Sequence, residues 1–245
     1  MRAEFTEDIA AIDPVAWNRL SGTECPFLRH EFLAALESTG CVGRETGWHP
    51  CHVILRDAEG QLLGAMPLYR KTNSWGEFVF DFAWADAYRR AGLHYYPKLV
   101  SAVPYTPTTG PRTLFAAGQD ESVIVQALLD AARRHARDLS LSSLHILFPT
   151  EPEVHEYDRL GLLIRKDCQF HWHNRGYREF DDFLGELTSV KRKKLRRERR
   201  RIAEAGIEFR VVSGGELEPM HWDTLMPLYA SSFWRRGRPP YLNRA

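Results

Sequence analysis

Residues 51–71, CHVILRDAEGQLLGAMPLYRK, spell out a β-hairpin. Two strand-forming runs flank Asp57-Ala58-Glu59-Gly60, and a glycine there supplies the permissive backbone that such a turn needs.

Upstream, Asp13 to Leu20 and Arg29 to Thr39 predict two short helices. In the second, Phe32, Leu33 and Leu36 recur at helical spacing, with Gly40 placed to stop it. Downstream, EFVFDFAWADAYRRAG (residues 77–92) alternates like a strand. Phe78, Phe80, Phe82 and Trp84 fall on one face, and Val79, Asp81 and Ala83 on the other. YYPKLVSAVPYTPTTGPR (residues 95–112) follows, a strand at Lys98 to Val103 that prolines and a glycine turn into a long loop ending near Arg112. Loops of this length often carry function.

Further on, Glu121 to Leu139 predicts a long amphipathic helix, SSLHILF a buried strand and Glu153 to Leu160 a helix. LLIRKDCQFHWHN (residues 162–174) reads as one bent strand or a hairpin. Strands alternating with helices give an α/β or α+β protein with a mixed sheet. The composition changes after Asn174, and a boundary near Gly176 divides a first domain, 1–176, from a second, 177–245. The second domain is expected to hold a short acidic helix at FDDFLGEL, a basic helix over 188–206, a strand at Ile207 to Val212 and a helix from Glu218 to about Trp234.

The basic helix, TSVKRKKLRRERRRIAEAG, carries nine Lys or Arg against two Glu in a chain of formal net charge +1. Positive charge is thus local, not global. Leu187, Leu195 and Ile202 form a narrow docking stripe, and the remaining surface is cationic. Its plain reading is a solvated face, partly matched by the acidic segment before it. Its functional reading is a phosphate dock, with Lys191, Lys193, Lys194, Arg196, Arg197 and Arg200 as the polyanion-binding set. Interleaved aromatics for base stacking are missing.

No Gly-x-Ser-x-Gly elbow, phosphate-binding P-loop or Gly-x-Gly-x-x-Gly occurs, which argues against a nucleoside triphosphatase or a dehydrogenase. The four cysteines, Cys25, Cys41, Cys51 and Cys168, have no Cys-x-x-Cys spacing. With no signal-like start and no membrane-length apolar run, they predict a soluble cytoplasmic protein without stable membrane insertion. His171 and His173 lie two apart with no third ligand nearby, so no metal is expected.

Among the candidate catalytic groups, Asp81 lies in apolar sequence that should raise its pKa and suit it to general-base work. The plainer alternative pairs it with a nearby Lys or Arg. Gln169 and His171 share a strand face and, with Tyr177, are candidates to orient an acceptor or donate to an oxyanion. Trp48 and Tyr105, on aromatic loops, and Lys98 and Arg112, offered for anions, complete a substrate-binding set.

PFLRHEFLAALESTGCVGRETGWHPCHV, GEFVFDFAWADAYRRAGLHYYPKLVSAVPYTPTTGPR, CQFHWHNRGY and LTSVKRKKLRRERR together resemble the FemAB-like family, from about Ser21 onward. The resemblance implies two GNAT-like lobes, of which this chain holds the first and an incomplete second. It also implies aminoacyl or acyl transfer to an amine of a peptidoglycan precursor. Aminoacyl-tRNA or acyl-CoA would be the donor, with a basic helix where a tRNA backbone or an acyl carrier docks. The Gln/Arg-x-x-Gly-x-Gly/Ala signature of CoA-binding GNAT enzymes is missing: Arg44-Glu-Thr-Gly47 and Arg89-Arg-Ala-Gly92 are each followed one residue later by His. That favours the tRNA donor. Two alternatives stand beside this reading, a non-catalytic module binding a cell-wall precursor or RNA, and a CoA-dependent N-acyltransferase with a degenerate phosphate loop. An open sheet edge would favour a homodimer.

Overall fold

The computed structural model describes residues 1–21 and 25–245. Among these residues are eight strands: β1 (Arg2–Thr6), β2 (Trp48–Pro50), β3 (His52–Arg56), β4 (Leu62–Met66), β5 (Tyr69–Lys71), β6 (Lys98–Ser101), β7 (Leu114–Phe115) and β8 (Leu144–Ile146). The α-helices are α1 (Pro14–Ser21), α2 (His30–Ser38), α3 (Phe82–Arg90), α4 (Glu121–Asp138), α5 (Glu151–Arg159), α6 (Phe180–Gly185), α7 (Ser189–Glu204) and α8 (Pro219–Trp234). The chain forms two compact units, Met1–Ile164 with Tyr229–Ala245, and Arg165–Leu228.

The hairpin is β3–β4, closed by Gly60 at φ +83°. Asp57 Oδ1 caps the turn by accepting from the backbone N–H groups of Glu59 and Gln61. Antiparallel pairing on both sides completes one sheet, ordered β1-β3-β4-β7. The other sheet is ordered β2-β5-β6-β8 and is mixed, because β6 and β8 run parallel. The first unit is thus α/β with a mixed sheet, as its alternating elements predict.

Helix α4 connects the parallel pair and supplies the core. Its side chains Ile124, Val125, Leu128, Leu129 and Ala132 are buried with Val53, Leu55, Met66, Leu68 and Leu99. At about 1.5–3 kcal/mol for each large apolar side chain buried, this cluster dominates the stability of the unit. Gly64 lets α4 approach β4, since a Cβ there would lie 2.6 Å from Ile124 Cγ2.

Three expected strands are absent among the described residues. Residues 77–84 form a loop and the start of α3. Phe78 and Phe80 adopt φ of +60° and +50°, which no strand accommodates. Alanine spacing then favours the helix, which Gly92 follows at φ +72°. The stretches 162–174 and 207–212 form no ladder; Phe209 and Val211 are 80% and 95% exposed. Strand-like composition without a partner leaves backbone groups to water. β8 is half-buried rather than buried, because it lies at a sheet edge.

In the second unit, α6 and α7 form where the acidic and basic helices are expected. Arg196 donates to Asp181 at 3.0 Å and the Arg199 guanidinium lies 4.3 Å from the Phe180 ring centre. No residue of α7 is buried.

Candidate functional site

β2, β5 and β6 lie side by side, and their register sets Trp48 opposite Lys71 and Lys71 opposite Lys98. All three side chains are fully buried. Two lysines facing each other across an antiparallel pair repel if both are charged, so this row needs nearby negative charge or one neutral amine. The loop from β5 to α3 supplies it through Glu77 and Asp81, which are 2% and 1% exposed.

Lys98 Nζ donates to Glu77 Oε2 at 2.8 Å and to Asp81 Oδ2 at 2.5 Å. The Tyr95 hydroxyl donates to the same Asp81 oxygen at 2.6 Å. Lys98 also reaches Ser74 Oγ at 3.4 Å, and that oxygen lies 2.6 Å from the Tyr96 hydroxyl. The other carboxylate oxygens, Glu77 Oε1 and Asp81 Oδ1, are buried without a hydrogen-bond partner among the described residues. Left-handed backbone at Phe78 and Phe80, which flank these acids, costs about 1–3 kcal/mol per residue. Buried charge, unpartnered oxygens and local strain in one loop make this cluster the candidate functional site.

Lys71 is held differently. Its Nζ donates to the Trp75 carbonyl at 3.2 Å and lies 3.8 Å from the centre of the Trp48 ring. Trp48 Nε1 donates to that same carbonyl at 3.0 Å. Lys71 makes no ion pair among the described residues, whereas Lys98 makes two. Burial pulls the Lys71 amine down to about 7, against partial support from Glu77. Burial also pushes the Glu77 carboxyl up. It would raise Asp81 as well, but the hydrogen bonds from Lys98 and Tyr95, with the Lys98 charge and the nearby Ser74 hydroxyl, outweigh it and hold that carboxyl at about 2. The raised pKa expected for Asp81 is therefore corrected, since its sequence neighbours are apolar but its spatial neighbours are donors.

The rings of Tyr95 and Tyr96 line an open cavity of about 390 Å³, together with Asp86, Arg89 and His94. It adjoins the buried cluster through these two tyrosines.

Asp81 and Lys98, both expected at the site, are thus brought together, although Lys98 binds the protein's own carboxylates. Trp48 lies beneath Lys71 and not on an exposed loop. Tyr105 donates to the Cys41 carbonyl at 2.6 Å and stacks on Tyr241 at 4.6 Å. Arg112, expected to meet an anion, is fully buried. Its guanidinium donates to the carbonyls of Thr108, Gly110, Pro111 and Leu147, pinning the proline-rich loop. The sequence reading missed Lys71, Glu77, Tyr95 and Tyr96. A lysine ending a buried strand and a second acid in the aromatic run were the available signals.

In the second unit Gln169 and His171 pair at 2.8 Å, and both are exposed. The Tyr177 ring lies near those of Trp172 and Phe183. On α7, Lys194 and Arg200 face Glu198 and Glu204 along the helix. Lys191, Lys193 and Arg197 are exposed and make no ion pair among the described residues.

The profile of the FemAB-like family, described as peptidoglycan biosynthesis/recognition, matches residues 8–245. The chain belongs to the FemAB-like family. No curated protein matched its sequence. This FemAB-like chain is similar to several solved structures. One is a ribosomal-protein-alanine N-acetyltransferase from Brucella melitensis, at 12% identity and TM-score 0.42, covering 71% of this chain and 100% of that one. An aminoglycoside 6'-N-acetyltransferase from Acinetobacter haemolyticus gives 10% identity and TM-score 0.41, over 71% and 99% of the two chains. A Trypanosoma brucei acetyltransferase gives 13% and 0.41, over 70% and 99%. Likenesses at these scores carry no argument about the reaction of the FemAB-like chain.

Proposed function

We propose that this chain transfers an acyl or aminoacyl group to an amine of a peptidoglycan precursor. Membership of the FemAB-like family supports the precursor as substrate class. The buried cluster of Lys71, Glu77, Asp81 and Lys98 is the observation that carries the chemistry. An amine attacking an ester or thioester carbonyl needs a proton acceptor and fixed positive or hydrogen-bonding groups for the developing oxyanion. This cluster holds basic and cationic groups together in a water-excluded place, where electrostatic interactions are strongest.

In this reading Asp81 fixes Lys98 and Tyr95 in place, and the cavity beside Tyr95 and Tyr96 receives the acceptor. The donor is aminoacyl-tRNA, held through the exposed cations of α7, or acyl-CoA. Four free thiols are in keeping with a cytoplasmic setting.

The test is incubation of the protein with a muramoyl-peptide precursor and either radiolabelled aminoacyl-tRNA or radiolabelled acetyl-CoA. Label appearing in the peptide from one donor supports the reading and names that donor. No labelled peptide from either contradicts it.

A further inference from the structure

The two buried lysines of the site are not equivalent. They face each other across β5 and β6, yet both nearby carboxylates are bonded to Lys98. Lys71 has one carbonyl acceptor and the face of Trp48. The charged groups that face it are Glu77 and Asp81 from the loop and Lys98 from β6, while β2 presents the Trp48 ring and, within electrostatic reach, the His49 imidazole, which a charged Lys71 disfavours in its protonated form. A cation over a tryptophan gains about 0.5–2 kcal/mol. Burying an unpaired ammonium costs several kcal/mol. The balance favours the uncharged amine, which has a free lone pair.

We propose that Lys71 takes the proton from the attacking amine in the acyl transfer, an inference that rests on the function proposed above. As the amine nitrogen bonds to the donor carbonyl carbon, its proton passes to Lys71 Nζ, forming the ammonium. The carbon–oxygen or carbon–sulfur bond to the donor then breaks, and the leaving oxygen or sulfur departs with that proton. Lys71 returns to the neutral amine. Lys98, bonded to two carboxylates, cannot exchange its proton in this way without breaking both ion pairs. Asp81, held at about 2, is too weak a base. Glu77, whose carboxyl burial pushes up, stabilises the ammonium formed on Lys71. The loop of Trp75 to Asp81, strained at Phe78 and Phe80 and with Phe80 71% exposed, covers the amine.

The experiment compares wild type with Lys71→Met, Lys71→Arg and Lys71→Ala in the transfer assay from pH 5 to 9, alongside ¹⁵N-lysine NMR of the wild type, with the Lys71 signal assigned through the Met variant. Wild-type turnover should rise with pH through about 7. Lys71→Met should lower turnover at least ~100-fold while the protein still melts cooperatively. Lys71→Arg, unable to become neutral, should lose as much, and ethylamine added to Lys71→Ala should restore at least ~10-fold of the lost rate. The Lys71 Nζ resonance should titrate near 7 in the wild type. Normal turnover by Lys71→Met, or an NMR titration at the ordinary lysine value, overturns the inference and leaves the acyl-transfer reading standing. A wild type with no turnover overturns that reading and this inference together.

Discussion

Replacing Lys98 by Met tests the electrostatics of the site without any substrate. The ammonium bridges two buried carboxylates at 2.8 and 2.5 Å. Met fills similar volume but leaves Glu77 and Asp81 facing each other's charge inside the protein. Breaking a buried pair from one side costs about 3–5 kcal/mol. Glu77 can relieve part of this by taking a proton, so the lower half of that range applies near neutral pH. In a protein of this size each kcal/mol moves the melting temperature by roughly 2–4 °C, and the fall should be about 6–16 °C. Urea unfolding followed by tryptophan fluorescence measures the free-energy change directly. Adding Asp81→Asn to Lys98→Met should recover more than half of the loss, because the charge stranded by the first change is gone. A Lys98→Met variant within about 1 kcal/mol of wild type would refute the buried ion cluster, as would a double variant no better than the single.

Other expectations follow from the same geometry. Lys71 binds its proton less tightly in the fold, near 7, than the ordinary 10.5 of an unfolded chain. Between those values the unfolded state holds more protons, so stability rises with pH through this window; Lys71→Met should flatten the rise in urea titrations. Gly64→Ala should cost about 1–3 kcal/mol in urea unfolding, because its Cβ would press on Ile124 Cγ2 at 2.6 Å. Changing Lys193, Lys194, Arg196, Arg197 and Arg200 to Ala should cut the salt slope of tRNA binding by up to ~4. An unchanged slope in filter binding would return α7 to a solvated face.

Where a pattern is local, the sequence conveys it well. The turn at 57–60 and its flanking strands, the helices α1, α2, α4 and α7 and the strand at Lys98 are set by turn glycines and side-chain period and form as expected, although the second hairpin strand ends at Met66 and Tyr69–Lys71 join the other sheet. The aromatic run 77–84 misleads because alternation is also what a loop produces when Phe78 and Phe80 take left-handed backbone. Nothing in their neighbours signals that. Residues 207–212 have strand composition, but a ladder needs a partner that composition does not provide.

The site shows the same division. Asp81 stands out in sequence as an acid among apolar residues, yet its partners Lys98 and Tyr95 are 17 and 14 positions away, so its low pKa is invisible there. Lys71 becomes notable only once register sets it opposite Lys98. Arg112 looks like a ligand-binding cation in a loop; the carbonyls that satisfy it come from the fold of that loop and from Leu147.

Photocrosslinking tests most directly whether the buried cluster is where the acceptor amine reacts. A muramoyl peptide carrying a diazirine on the carbon beside its amine would be irradiated with the protein and the adducts mapped by mass spectrometry. The account predicts adducts within residues 71–98, at Trp75, Glu77, Tyr95 or Tyr96, and their loss on competition with unmodified peptide. Competable adducts confined to residues 165–228 would contradict it.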